Sequence, residues 1–212
     1  MKIRASNGST KFYDITRGVL QGEILSPLLF ALFISDLDKV LQNNECAPVS
    51  LGGSQSVNML MFADDIVTLA GSKQSLQHKI NCLSKYCESN ELEINLSKTK
   101  DIVFRKGGKL CKSHKWYLSD KSIEIVKNNT YLGIVFSSSG VFYDAMLDRS
   151  SKAKRAVGNV VQLGARASMY SWAGRCKIFD TICKNSLLYG APIWAVKYLD
   201  YLELSQTALA SS

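Results

Sequence analysis

The chain lacks the features of a membrane protein, a secreted protein or a disulfide-bonded scaffold. Its 212 residues include no long uncharged apolar run, whereas a membrane-spanning helix needs about 20 apolar residues in succession. The N-terminal stretch MKIRASNGSTKFYDI has no apolar core, so it is not a signal peptide. The six cysteines include no Cys-x-x-Cys spacing, which favours free thiols in an intracellular protein.

Zinc-binding patterns are incomplete as well. Two spacings would suit a metal, Cys111 with His114 and His78 with Cys82. Neither has a second ligand pair at the spacing that zinc sites use along a chain. The sequence therefore does not predict a zinc site.

Charge of one sign predominates in this chain. Lys and Arg together number 26 against 18 Asp and Glu, which gives a net charge of +8. Such a surplus suits a polyanionic partner such as nucleic acid. The charge alone leaves nucleic-acid binding and an ordinary basic surface equally open. The 46% hydrophobic and 21% charged residues are typical of a folded globular protein.

Periodicity divides the chain into a mixed part and a helical part. SPLLFALFISDLDKVLQNN predicts one helix with Ser26 as N-cap and Pro27 at its first position, and its apolar first half should be buried. SKQSLQHKINCLSKYCESN predicts an amphipathic helix that ends at a left-handed Asn90. LEINLSKTKDIVF predicts two strands around a basic turn, and the pattern beyond Gly140 is helical. The order of elements predicts an α+β fold in which helices cover one face of an antiparallel sheet.

Two adjacent acids, Asp64 and Asp65, interrupt the apolar runs VNMLMFA and DIVTLAG. Two apolar runs around a polar break predict a hairpin, with strands 57–62 and 66–70 and the acids at its tip. Adjacent carboxylates repel each other unless a positive charge lies against them, and hard carboxylate oxygens suit Mg²⁺. A solvated acidic turn without a metal is the alternative interpretation.

The motif hydrophobic-Phe-Ala-Asp-Asp resembles the catalytic hairpin of reverse transcriptases. GVLQGEILSPLLFALFISDL, LEINLSKTKDIVF and TYLGIVF resemble further segments of that family, in the same order. LLYGAPIWA is similar to a segment that follows the catalytic core in non-LTR retrotransposon enzymes of the LINE type, such as the jockey-like elements. The resemblance covers roughly residues 10 to 200, and five motifs in order are more specific than any one motif.

The resemblance implies a site. Asp64 and Asp65 would be the metal-ligating catalytic acids, with Mg²⁺ or Mn²⁺ as the ion. Lys98 would lie near the incoming triphosphate, although a solvated turn lysine is the alternative interpretation. The remaining implied contacts are those to nucleotide and template, by Gln21, Gly22, Phe62 and Ala63, and those of a primer grip, by Tyr131, Leu132 and Gly133.

The resemblance also implies a right-hand polymerase fold, with a partial palm over residues 1–138 and a partial helical thumb or connection over 139–212. The implied reaction is RNA-directed DNA synthesis by two-metal phosphoryl transfer. Its partners would be an RNA template, a DNA primer, deoxynucleoside triphosphates and the remainder of a parent polyprotein, in the nucleus. The segments SPLLF, LSKTK and YLG favour this polymerase over an RNA-directed RNA polymerase.

One family feature is missing from the chain. The family carries a further catalytic aspartate in a strand well before Gln-Gly, and Asp14 lies only seven residues before Gln21. The fingers are missing as well. The chain is therefore expected to be a fragment that does not extend a primer alone. The alternative is a non-catalytic remnant that binds nucleic acid through its basic C-terminal helices.

Overall fold

The computed structural model describes residues 4–5, 8–9, 18–19, 22–111, 114–166 and 171–195. Its helices are α1 (Ser26–Phe33), α2 (Leu37–Asn43), α3 (Lys73–Ser89), α4 (Tyr143–Arg166), α5 (Trp172–Ile178), α6 (Asn185–Leu188) and α7 (Ala191–Trp194), with a π-helical turn over Phe179–Lys184. Its strands are β1 (Arg4–Ala5), β2 (Gly8–Ser9), β3 (Val49–Gly52), β4 (Gln55–Val57), β5 (Met59–Phe62), β6 (Asp65–Thr68), β7 (Lys100–Asp101), β8 (Tyr117–Leu118), β9 (Lys121–Ser122), β10 (Glu124–Ile125), β11 (Asn128–Tyr131) and β12 (Ile134–Ser137). Asp14 and Gln21 lie outside the described residues.

The chain forms two compact units. Unit 1 comprises residues 1–95 and 114–122, and unit 2 comprises residues 96–113 and 123–212. The predicted division into a partial palm over 1–138 and a partial helical thumb or connection over 139–212 stays a prediction.

The long helix predicted from Ser26 is two helices in the structure. α1 begins at Ser26 itself, with Leu25 as N-cap, and the helical path breaks over residues 34–36 before α2. The prediction that the apolar first half is buried is wrong, because Leu28, Leu29, Leu32 and Phe33 are all at least half exposed. A helix that is apolar all round is buried only where neighbours cover every face. Within the described part of unit 1, Ser26 is the one buried residue of α1.

α2 and α3 form the core of unit 1. Leu37 and Leu41 are fully buried between them, and the Tyr86 hydroxyl donates a hydrogen bond to Asp36 Oδ1 at 2.6 Å. α3 begins where the Ser72 side chain accepts a hydrogen bond from the Ser75 amide, which satisfies one unpaired N–H of the first turn.

Both of these helices end in the same backbone motif. After α3, Glu91 rather than the expected Asn90 is left-handed, with φ +55°, and the Leu92 amide donates to the Cys87 carbonyl. After α2, Glu45 is left-handed with φ +56°, and the Cys46 amide donates to the Leu41 carbonyl. In both places a left-handed residue lets the next amide donate to a carbonyl of the last helical turn. This hydrogen bond satisfies a carbonyl that the end of a helix leaves unpaired, even without glycine.

The strands form six separate two-stranded ladders within the described residues, five antiparallel and one, β7 with β10, parallel. Helices with small sheets confirm the α+β class, but one continuous antiparallel sheet is not seen there. The strand pair predicted in LEINLSKTKDIVF is reduced to β7, with loop and turn over residues 92–99. A hairpin needs only a local turn, whereas a larger sheet needs pairing between distant segments, which a local pattern does not specify.

The helical pattern predicted beyond Gly140 is confirmed in α4 to α7. The buried core of this part of unit 2 consists of Met146, Ala153, Val157, Cys183, Leu187, Trp194 and Ala195. No helix among the described residues has both the length and the apolar character needed to cross a bilayer.

Candidate functional site

The acidic pair lies on a tight hairpin in unit 1, as predicted, but its strands are 59–62 and 65–68 rather than the predicted 57–62 and 66–70. β5 and β6 pair antiparallel from Met59 with Thr68 to Phe62 with Asp65. This register leaves a two-residue link, Ala63–Asp64, so Asp64 lies in the turn and Asp65 is the first residue of β6. Ala63 has φ +52°, a left-handed conformation that is uncommon outside glycine.

The tip of this hairpin is exposed. Phe62, Ala63, Asp64 and Asp65 are all exposed, so the two carboxylates are solvated and need no counter-ion to offset burial. Their adjacent oxygens are hard donors of the kind that Mg²⁺ accepts, usually one or two carboxylates with water or phosphate oxygens completing the shell. No third carboxylate, histidine or cysteine joins them in a cluster among the residues the structure describes.

A buried lysine supports the base of the hairpin. Lys79 on α3 has no exposed surface, and its Nζ donates a hydrogen bond to the Leu69 carbonyl at 2.5 Å, one residue past β6. Burial lowers the pKa of Lys79. The Leu69 amide in turn donates to the carbonyl of Asn58, the residue before β5. Sequence reasoning missed Lys79, although its position three residues after Leu76, inside the apolar stripe of α3, was a usable signal.

Of the two residues expected near nucleotide and template, the structure describes Gly22. It is exposed and has φ +91°, a conformation that glycine adopts without steric cost. Gln21 lies outside the described residues.

Lys98 and Lys100 have different environments in unit 2. Lys98 is exposed in the turn over residues 96–98, whereas Lys100 Nζ lies 2.6 Å from the Glu124 carboxylate across the parallel ladder. The next residue, Asp101, is partly buried, and burial raises the pKa of its carboxyl to about 6. Asp101 Oδ2 is a buried atom without a hydrogen-bond partner in the described structure.

The predicted primer-grip residues form a second hairpin, in unit 2. β11 and β12 pair antiparallel up to Tyr131 with Ile134, and the link between them is Leu132–Gly133. Both link residues have positive φ, +46° and +77°, as two-residue hairpin turns that follow the twist of the strands require. The left-handed Leu132 is unusual, because a branched side chain is disfavoured there.

Two side chains from the helical part hold this turn. The Tyr189 hydroxyl donates a hydrogen bond to the Leu132 carbonyl at 2.9 Å, and Arg149 on α4 donates to the Gly133 carbonyl. The Arg149 guanidinium carbon lies 4.7 Å from the centre of the Tyr189 ring, within range of a cation–π interaction. The segment LLYGAPIWA therefore packs against TYLGIVF. Sequence reasoning named both segments but missed Arg149, for which no local pattern gave a signal.

Comparison with known proteins gives the family. The model of the family described as "Reverse transcriptase (RNA-dependent DNA polymerase)" matches residues 1–136, which is more than half of the chain and includes the acidic hairpin and both turns. The chain belongs to this reverse transcriptase family. No solved structure gives a significant match to it.

The similar curated proteins come from non-LTR retrotransposable elements. The reverse transcriptase chain is 24% identical over 196 residues to the "Putative 115 kDa protein in type-1 retrotransposable element R1DM" of Drosophila melanogaster. This match covers 91% of the chain and 18% of that protein. The chain is 23% identical over 194 residues to the "RNA-directed DNA polymerase from mobile element jockey" of the same species, covering 89% and 20%. The chain thus spans about a fifth of these relatives.

Proposed function

We propose that this chain is a partial palm and a partial thumb of an RNA-directed DNA polymerase from a non-LTR retrotransposon. The observation that carries the proposal is the Phe62-Ala63-Asp64-Asp65 hairpin, which lies inside the stretch that matches the reverse transcriptase family. The family uses divalent metal ions in general, and the two adjacent carboxylates are suitable oxygen donors. The parent enzyme would join a deoxynucleotide to a primer 3′-hydroxyl on an RNA template.

In this proposal Asp64 and Asp65 hold Mg²⁺, or Mn²⁺ in its place. When bound, the ion supplies charge stabilisation to the transferring phosphoryl group. Lys98, exposed in its turn, neutralises charge on the triphosphate. The exposed Phe62 and Ala63 contact the nucleotide and template, together with Gly22 and with Gln21, and the left-handed Gly22 permits close backbone approach to a ligand.

Tyr131, Leu132 and Gly133 act in the proposal as the primer grip. A grip has to hold the primer end in one geometry, because phosphoryl transfer depends on positioning. The bonds from Tyr189 and Arg149 to the two turn carbonyls restrict the turn in this way. We propose the remainder of a parent polyprotein as a partner, and the nucleus as the place of action, on the basis of the family alone.

A second candidate function is binding of nucleic acid without synthesis. It is favoured by the exposed basic residues of the C-terminal helical part, which are Lys154, Arg155, Arg175, Lys177 and Lys184. Trp172 at the start of α5 is 78% exposed and offers a ring on which a base can stack.

The metal site can be tested directly on this chain. Iron(II) in place of Mg²⁺, with ascorbate and peroxide, generates hydroxyl radicals that cleave the backbone near the ion. We expect cleavage close to residues 62–66, suppressed by excess Mg²⁺ and lost in Asp64→Asn. Asp120→Asn, an exposed turn aspartate elsewhere in unit 1, is the matched control and should retain the cleavage. Cleavage that is unchanged in Asp64→Asn would refute the assignment of the metal ligands.

Primer extension separates the two candidate functions. We expect the chain alone to leave a primer on an RNA template unextended, since its described residues bring two carboxylates together and Mg²⁺ sheds water reluctantly for so few ligands. Binding of the primer–template without extension agrees with this expectation. Extension that disappears in Asp64→Asn would show that the chain is a polymerase by itself.

A further inference from the structure

Three potential metal ligands meet in unit 1, away from the acidic hairpin tip. They are Cys46, which follows α2, and His78 and Cys82 on α3. Their ligand atoms, two Sγ and one imidazole nitrogen, all lie within 4.8 Å of one another. His78 and Cys82 are four residues apart on one helix face, and the chain reversal at Glu45 places Cys46 against that face.

The spacing of these atoms is close to that of a tetrahedral zinc site. Zn–S bonds of about 2.3 Å and Zn–N bonds of about 2.0 Å separate neighbouring ligand atoms by roughly 3.5–3.8 Å. His78 Nε2 lies 3.9 Å from Cys82 Sγ, and Cys46 Sγ lies within 4.8 Å of both of these ligands. Small side-chain movements would therefore bring all three ligands to bonding distance of one ion.

The two thiols of the cluster are shielded from solvent. Cys46 and Cys82 are both buried. Metal binding would release their thiol protons, because the thiolate is the form that coordinates. The exposed side of His78 leaves an entry path and a fourth ligand position for water.

The Asn44 carbonyl accepts a hydrogen bond from the imidazole of the cluster. Its oxygen lies 2.8 Å from His78 Nε2, so Nε2 carries the ring hydrogen in this arrangement, because a carbonyl oxygen can only accept. Coordination through Nε2 would require this hydrogen bond to open and the ring hydrogen to move to Nδ1.

We propose that Cys46, His78 and Cys82 form a binding site for a thiophilic divalent cation, of which Zn²⁺ is the fitting example. Two thiolates and one imidazole are the donor set that zinc selects, and they differ in kind from the hard carboxylates of Asp64 and Asp65. The ion would cross-link the end of α2 to α3, the helix whose Lys79 supports the acidic hairpin. Its role is structural, and it does not depend on polymerase activity.

Cobalt(II) is the probe for this site, because it adopts the tetrahedral coordination of zinc sites and its complexes absorb visible light. The full 212-residue chain, stripped of metal and kept reduced, is titrated with Co²⁺. We expect an ultraviolet thiolate-to-cobalt charge-transfer band and intense visible bands of tetrahedral cobalt, saturating at one ion per chain and removed by Zn²⁺. Zn²⁺ should also raise the melting temperature, because a ligand that binds only the folded state stabilises it.

Variants locate the bound ion. His78→Ala changes an exposed side chain, so it should stay folded and weaken Co²⁺ binding by about tenfold or more. Cys82→Ser should remove the part of the thiolate-to-cobalt charge-transfer band that Cys82 contributes. Cys111→Ser, an exposed cysteine of unit 2, and Asp64→Asn should both leave the spectrum unchanged.

Three results would overturn the proposal. One is a folded chain whose six thiols react as free thiols but which shows no cobalt bands. Another is a spectrum that His78→Ala and Cys82→Ser leave intact. The third is a spectrum lost in Asp64→Asn, which would assign the ion to the acidic hairpin instead.

Discussion

At the scale of single residues, the hydroxyl of Tyr189 connects the LLYGAPIWA segment to the turn of the TYLGIVF hairpin. It donates to the Leu132 carbonyl, while its ring lies under the Arg149 guanidinium. The ring and the hydroxyl therefore make separable contributions. Phenylalanine retains the ring and removes only the hydrogen bond.

Tyr189→Phe is expected to lower the free energy of unfolding by about 1 kcal/mol, the usual net contribution of one neutral hydrogen bond. Urea unfolding measures the loss. Tyr117→Phe, at a tyrosine of similar exposure whose hydroxyl is not in this contact, should change stability by much less. Equal losses in the two variants would mean that the bond to Leu132 contributes nothing.

Asp101 makes the stability of the chain depend on pH. Its pKa is raised from 3.8 to about 6 by burial, so between these values the folded chain binds more protons than the unfolded chain. The free energy of unfolding therefore falls as pH rises from about 4 to about 6. Above that range the whole destabilisation by the ionised, partly buried carboxylate is present.

Asp101→Asn removes this dependence and should be stabilising at neutral pH, by about 1 kcal/mol once partial exposure is allowed for. The two proteins should unfold alike below about pH 3, where the wild-type carboxyl is largely protonated in both states. Urea unfolding at both pH values measures the difference, with Asp120→Asn as an exposed control. A variant less stable than wild type at neutral pH would show that the charged carboxylate is compensated.

At the scale of elements, glycine permits the close packing between α7 and the β11–β12 hairpin. Gly190 precedes α7 with φ +69°, and a Cβ added there would lie 2.6 Å from Ile134 Cδ1. Gly140, which lies between β12 and α4, has nearly the same φ, +71°, but an added Cβ meets nothing within 4 Å. The two glycines thus share a backbone requirement and differ in the space around them.

This pair separates strain from crowding. Gly140→Ala should lower the free energy of unfolding by about 1 kcal/mol, from the left-handed backbone alone. Gly190→Ala should lower it by the same amount plus about 1–3 kcal/mol, because the added methyl group crowds Ile134. Thermal unfolding of the two variants measures the difference, and equal losses would show that Ile134 moves aside without cost.

At the scale of the whole molecule, the charge of +8 is the feature that bears on nucleic acid. The exposed cations of the helical part should contact phosphates without regard to sequence. Lys152 is a weaker candidate than Lys154, because its Nζ lies 2.7 Å from the Asp148 carboxylate.

We expect binding of the chain to single-stranded RNA or DNA to weaken steeply with salt. Fluorescence anisotropy across a salt series gives the log–log slope, to which each phosphate contact adds about 0.7 on a single strand. Lys154→Gln should reduce the slope by about that amount. Lys39→Gln removes the same charge from an exposed side chain of α2 and should change the slope little. Equal effects would indicate that net charge alone governs binding, and a salt-independent affinity would contradict the prediction.

Local patterns in the sequence determined the parts of the fold that depend on neighbours along the chain. Two apolar runs around the polar break at Asp64–Asp65 were enough to predict that hairpin, because a tight turn between two strands specifies their register. Local patterns also predicted the amphipathic α3 and the helices beyond Gly140. The hairpin at Leu132–Gly133 was expected only from the family resemblance. The family motifs added the roles proposed for the residues on those elements.

Only the tertiary structure decided which of these elements meet. Tyr189 and Leu132 are 57 residues apart, and the contacts of Lys79 with Leu69 and of Cys46 with His78 and Cys82 depend on how separate elements pack. The exposure of α1 could not be predicted from the sequence either, because an apolar helix does not specify which other elements pack against it. The reason is physical: periodicity is a property of one segment, whereas burial and side-chain clusters arise from the packing of several.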